Sequence, residues 1–235
     1  MTHQVGQLDY TGQVTGGIGI SVVIILLTIR DDALKTLLVR SDGGTWRLPS
    51  GSPGVAEPLR RAAERVVREF ATISVDYLEQ LYTFGNRIPD GQQRVIEIAY
   101  YGLVPPDLIP GVEQHAAGHL AWFSEEDEPD LQGEHGLIVR VARNRLQGKL
   151  AYTAVGFELL PELFTMAELQ RLYEIILGRE LDKRNFRKKI LDLGIVEDTG
   201  EFRAAEHQRG RPAALYRFQS QVFRNLEAKR DILAF

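Results

Sequence analysis

The sequence predicts an α+β protein of two domains, a strand-rich N-terminal domain over residues 1–148 and a C-terminal winged helix-turn-helix over residues 149–235. Three observations carry this. β-branched apolar runs and one strongly amphipathic helix fill the first part. Helix, short turn, helix and β-ribbon follow one another in the second, which is the winged form of the helix-turn-helix. The charge is also uneven. The formal net charge of −4 divides into 13 Lys and Arg against 19 Asp and Glu up to residue 148, and 15 against 13 beyond it. A mildly basic module joined to an acidic one suits a DNA-binding part carried by a part with another task.

The run Ser21 to Ile29 (SVVIILLTI) is rich in β-branched residues and predicts a strand buried on both faces, after which Asp31-Asp32 supplies a polar turn and Leu34 to Arg40 a hairpin partner. Trp46-Arg47-Leu48-Pro49 leads into a loop of Gly, Ser and Pro that ends at Glu57. From Pro58 to Phe70 the positions Leu59, Ala62, Ala63, Val66, Val67 and Phe70 recur at spacings of three and four, the pattern of an amphipathic helix. Strands are expected around Leu81 to Phe84, Val95 to Val104 and Leu120 to Phe123, and a helix from Gly136 to Leu146. The junction falls between Gly148 and Leu163, where Tyr152 and Phe157 are expected to pack. Thr165 and Glu168 then form a capping-box signature, and Leu169, Leu172, Tyr173 and Ile176 make one apolar stripe that Gly178 stops. A second helix runs from Asp182 to Leu193 before Gly194. Ile195-Val196-Glu197 and Ala214 to Phe218 read as two strands around a polar loop.

Composition excludes several classes. With 235 residues and 44% hydrophobic content, the chain can bury one large core, or one medium and one small. The absence of cysteine rules out disulfides, thiolate zinc sites and cysteine nucleophiles, and fits a reducing cytoplasm. Ser21 to Ile29 is far short of the roughly 20 apolar residues that cross a bilayer, so no membrane association is expected. His115 and His119 stand four apart without a third ligand, and His3, His135 and His207 form no constellation.

Residues Gly51 to Ile73 resemble the Nudix box, a loop-helix signature in which Gly51, Glu57, Arg65, Val67, Glu69 and Ile73 occupy matching positions without a gap. The resemblance implies an α/β/α sandwich with a mixed sheet. In Nudix enzymes helical carboxylates at i, i+3 and i+4 share one face and hold magnesium. Here that face reads Val66, Glu69, Phe70, so one carboxylate remains. Glu64 is no replacement, because five residues at about 100° each put it roughly 140° around the helix from Glu69. The expectation is a domain with no catalytic residues, no metal and no cofactor that keeps a pocket for a small anionic ligand. Candidate ligand-binding residues are Arg47, Glu69, Arg87 and Arg94, since a planar guanidinium donates two parallel hydrogen bonds to anionic oxygens. Trp46 either stacks on a base or belongs to the core.

On a helical wheel that takes Arg184 as its origin, Arg187 falls at about 300° and Lys188 at about 40°, the advance being about 100° per residue. Phe186 falls at about 200°, Ile190 at about 240° and Leu193 at about 180° on the same wheel. Basic and apolar residues take opposite faces, as a recognition helix requires. Leu191, at about 340°, breaks the pattern and is expected to pack under the wing. The candidate DNA-binding residues are Lys183, Arg184, Asn185, Arg187 and Lys188 on this helix, with Arg209 and Arg211 flanking Gly210 in the polar loop.

The stretches YTAVGFELLP, FTMAELQRLYE and LDKRNFRKKIL between Tyr152 and Leu191, together with Tyr82-Thr83-Phe84-Gly85 and the altered box, resemble the Nudix-related transcriptional regulators. That resemblance implies a homodimeric repressor of genes of NAD metabolism or sugar use, whose affinity for double-stranded operator DNA responds to an effector such as ADP-ribose. Two other readings stay open: an active Nudix hydrolase of ADP-ribose-like nucleoside diphosphates, and a Nudix-fold protein whose tail makes protein contacts only.

Overall fold

The computed structural model describes residues 18–71, 73–85, 94–109, 119–204, 212–226 and 233. They form two compact units. One comprises the chain to Leu27, Lys35–Val104 and Leu108–Ala142; the other comprises Thr28–Leu34, Pro105–Asp107 and the chain from Arg143 onward.

The first unit is built on a seven-stranded mixed sheet. β1 (Gly19–Arg30) lies between β2 (Ala33–Arg40) and β6 (Val95–Leu103), with β3 (Trp46–Arg47) beyond β2 and β5 (Tyr77–Phe84) beyond β6. β4 (Ser50–Gly51) pairs with β1, and β7 (Leu120–Phe123) with β2. β1 and β6 are parallel while the β5–β6 pairing is antiparallel. Residues Val22 through Leu27 of β1 have no exposed surface, as a continuous apolar run buried on both sheet faces requires. The β1–β2 turn puts Asp31 and Asp32 at φ 51° and 56°, the left-handed pair that matches the twist of a two-residue hairpin.

Helix α1 (Leu59–Ala71) covers one sheet face, burying Ala62, Ala63, Val66 and Val67 in a cluster with Val22, Ile24, Leu26, Leu37 and Tyr100. Glu97 of β6 alternates to the other face, and His135 at the start of α2 (His135–Lys149) meets it there at 3.1 Å. The sheet therefore has a helix against each face at these points. Strand β5 begins four residues before the expected Leu81. Its first half is tied to β6 by backbone pairing and by the Tyr77 and Tyr101 hydroxyls, 2.8 Å apart, which apolar alternation does not signal.

In the second unit β8 (Phe164–Thr165), β10 (Ala213–Phe218) and β9 (Val196–Arg203) make an antiparallel sheet in that spatial order. Helices α3 (Met166–Leu177) and α4 (Lys183–Leu193) pack on each other through Tyr173 and Phe186, whose rings meet edge-on at 5.5 Å. α5 (Ser220–Leu226) closes the described chain. Phe157 stacks on Phe218 at 4.1 Å, whereas Tyr152 is exposed rather than packed. Thr165 caps α3 in a reciprocal box, its hydroxyl accepting from Glu168 N–H at 3.2 Å and the Glu168 carboxylate accepting from Thr165 N–H at 2.7 Å. Among the described residues no helix is long and apolar enough to cross a membrane.

Thr165→Ala removes the acceptor that caps the first turn of α3. It is expected to cost this unit about 1 kcal/mol in denaturant unfolding, the usual magnitude for a lost helix cap.

Candidate functional site

Two constellations gather the residues singled out from sequence, one in each unit. In the second unit they lie on α4. Asp182 starts the helix, accepting from Asn185 N–H at 2.8 Å, and Gly194 ends it in the left-handed conformation at φ 64°. Phe186 and Ile190 are buried, while Lys183, Arg184, Asn185, Arg187 and Lys188 are all exposed. The five candidates on this helix thus share its outer surface.

Arg187 is held in place. Its guanidinium donates to the Tyr216 hydroxyl at 3.0 Å and sits 5.9 Å from that ring's centroid, an arrangement that combines a charge-assisted hydrogen bond with a cation–π contact. The turn before α4 is also fixed. The Glu174 carboxylate accepts from Leu181 N–H at 3.0 Å and from Gln170 Nε2 at 2.9 Å, and Gln170 also donates to the Leu181 carbonyl. These bonds, Leu181 first, hold the Glu174 carboxyl below its ordinary value. Sequence reading missed Tyr216, Gln170 and Glu174. The only local signal was the spacing of four between Gln170 and Glu174.

Leu191 corrects an expectation: instead of packing under the wing it is exposed on the same side as Arg184 and Arg187. Phe186 makes the contact with α3 and Ile190 is buried as well, and Leu191 lies at least a quarter-turn around the helix from both, which points it away from the buried side. Arg209 and Arg211 lie outside the described residues.

In the first unit the candidates surround α1 and the loop before it. Arg65 organises this region. Its guanidinium donates to both Glu57 oxygens, at 3.0 and 2.9 Å, to Glu69 Oε1 at 3.1 Å and to the Ser52 carbonyl at 2.9 Å. The hydrogen bonds from Arg65, helped by the Gly54 N–H, pull the Glu57 carboxyl down to about 2, and the Glu57 and Glu69 carboxylates push Arg65 up. Glu64 points elsewhere, to Arg60 and Arg61. Val66 is fully buried in the core and Phe70 packs against it.

Arg47 lies with its guanidinium 5.8 Å from the Phe70 ring centroid and donates to Ser50 Oγ at 2.9 Å; burial lowers its pKa, opposed by the Asp42 carboxylate. Arg47 is thereby brought beside Phe70, the residue that follows Glu69 on α1. Arg94 is exposed just before β6, and β1 separates that strand from β4 and hence Arg94 from the Arg47 side. Arg87 lies outside the described residues, as does His115. Trp46 is half-buried, edge-on to Phe123 at 4.9 Å.

His135 was not expected to join any constellation. It is buried, its Nδ1 accepts from Leu48 N–H at 2.9 Å, and its Nε2 therefore carries the proton shared with Glu97. Among the described residues no three His, Asp or Glu side chains are grouped to hold a metal ion.

Known proteins share both halves. Residues 156–218 match the NrtR DNA-binding winged helix domain. The chain is 32% identical over 211 residues to the ADPR responsive transcriptional repressor NtrR of Acinetobacter baylyi, covering 86% of this chain and 83% of that protein. The crystal structure of Shewanella oneidensis NrtR complexed with a 27mer DNA superposes with a TM-score of 0.76 at 30% identity, covering 87% of this chain and 95% of that one. A MutT/nudix family protein from Enterococcus faecalis, 21% identical over 87% of each chain, shares the fold with a TM-score of 0.65.

Glu57 makes stability depend on pH. Its folded pKa is about 2 against an ordinary 4.5, so its contribution is complete above about 4.5 and is lost as pH falls toward 2. Thermal unfolding across that window should show Glu57→Gln melting below the native chain at neutral pH, with the two converging near pH 2.

Proposed function

The chain belongs to the NrtR family of Nudix-related transcriptional regulators, and from that premise we propose that it is a repressor that binds operator DNA through its winged helix and senses ADP-ribose through its Nudix-like domain. The observation that carries this is the outer surface of α4: five polar and basic side chains are exposed while Phe186 and Ile190 are buried, with Arg187 already tethered by Tyr216. A helix of that design presents its charges to the major groove already ordered, so less side-chain entropy is lost on binding. Arg184, Arg187 and Lys188 meet phosphates or guanine edges, Asn185 an adenine edge, and Lys183 the backbone at the helix start. Arg209 and Arg211 reach the phosphates or minor groove from the wing. The functional division of the chain is at residues 148 and 149, the protein acts as a homodimer, and its site of action is the cytoplasm.

In the Nudix-like domain the reading is binding without turnover. The residues present do not fit a magnesium ion. Val66 and Phe70 occupy two of the three helical carboxylate positions and are committed to the core, while Glu57 and Glu69 both pair with Arg65. What remains suits recognition of an anionic ligand: Arg47 and Arg87 toward diphosphate oxygens, and Glu69 toward ribose hydroxyls. An effector with different affinity for the DNA-competent and DNA-incompetent states then shifts operator occupancy by linkage.

Fluorescence anisotropy with DNA from the gene's own upstream region is the direct test. Sequence-specific binding that ADP-ribose alters is expected; binding no stronger than to random DNA would count decisively against it. Arg184→Ala with Lys188→Ala should weaken binding more than tenfold and flatten its salt dependence by nearly one slope unit per lost phosphate contact. Tyr216→Phe, which keeps the ring but frees Arg187, should lower affinity about threefold to tenfold with little change in melting temperature. Magnesium-dependent release of ribose phosphate from ADP-ribose, abolished by Glu69→Gln, would overturn the non-enzymatic reading.

A further inference from the structure

The exposed surface of α4 carries one apolar residue in its last turn, Leu191. At about 100° per residue, Leu191 lies at about 340° from Arg184, between the directions of Arg187 and Lys188 and in line with Arg184. It is 41% exposed, although the adjacent Ile190 is fully buried, so the helix presents a branched hydrocarbon to solvent amid its positive charges. Packing within the unit does not call for it there. Phe186 supplies the contact with α3, Ile190 is buried, and Gly194 rather than Leu191 stops the helix.

A surface that such a face can meet must carry negative charge and, within about two helical turns of it, an apolar group. Flexible anions satisfy the first condition only. The major groove of DNA satisfies both, because phosphates line its edges while its floor displays one apolar substituent, the C5-methyl group of thymine. Arg184, Arg187 and Lys188 precede Leu191 by one to two turns, a reach of about 5–10 Å along the helix, which falls within a single groove crossing.

We propose that Leu191 is a specificity-determining residue that packs on the C5-methyl group of a thymine facing the last turns of α4. This rests on the DNA-binding reading above. Excluding water from one methyl group is worth about 0.8 kcal/mol, or roughly fourfold in affinity when about 1.4 kcal/mol is tenfold.

The experiment begins by selecting bound duplexes from a random pool with the full-length chain. Each thymine of the selected site is then replaced singly by deoxyuridine, which lacks only the methyl group, and anisotropy is measured for the native chain, Leu191→Ala and Leu191→Met. At one thymine of a half-site the native chain should lose about fourfold on demethylation. Leu191→Ala should lose a similar factor on thymine DNA and no longer distinguish the two bases there, while Leu191→Met keeps the discrimination. Retention of full discrimination by Leu191→Ala would overturn the proposal, as would an equal loss on random DNA, or a change in oligomeric state with discrimination intact. If no sequence is enriched at all, the DNA-binding reading itself falls. Melting curves for both variants confirm that each is folded, and Leu191 is exposed enough that neither should shift them much.

Discussion

The burial of Phe186 against Tyr173 constrains everything that α4 can do. Once that side chain is sunk against α3 and Ile190 is buried, the rotation of the helix about its axis is fixed, and every other residue on it has its direction assigned. Arg184, Arg187 and Lys188 face outward because they are out of phase with the core, with no need for specific bonds to turn them. The bonds that do exist refine this. Gln170 and Glu174 fasten the turn that enters α4, and Tyr216 holds Arg187 from the neighbouring strand. A rigid helix on a fastened turn converts side-chain chemistry into position, which is what reading a groove demands.

The loop and helix of the first unit are held by different means. Gly51 allows α1 to approach closely, for a Cβ there would lie 3.0 Å from Val66 Cγ2 and within reach of Arg65. Arg65 then joins the loop to the helix through Glu57, Ser52 and Glu69. This scaffold depends on residues of the box that make structure. Of the helical carboxylates that would make chemistry it uses only Glu69, so Val66 and Phe70 can serve the core while the backbone course is kept. The ionic cluster is partly open to water, and it contributes geometry more than net stability.

Much of this was legible in the chain itself. The run from Ser21 to Ile29 announced a doubly buried strand because its apolar residues are continuous, and the thirteen-residue α1 was announced by small and apolar residues that keep the helical period. Strand β9 was visible only at its start. Beyond Val196 its residues are polar and mostly exposed, so no burial periodicity exists to be read, and its extent is set by pairing with β10. The short β8 was missed for the same reason, two residues being enough for pairing but too few for a pattern.

By itself, then, the sequence determined the order of the longer strands and helices as far as β10, the two caps of α3, the separation of charge from hydrocarbon on α4, and the replacement of two carboxylates in the loop-helix motif. These are local properties, fixed by spacing along one chain. Tertiary structure alone decided which distant groups meet: Tyr216 on Arg187 across 29 positions, His135 on Leu48 across 87, and Leu191 outward where the wing had been expected to cover it. Hydrogen bonds and burial depend on separation in space. Nothing in the spacing of residues encodes that separation once the chain has turned back on itself.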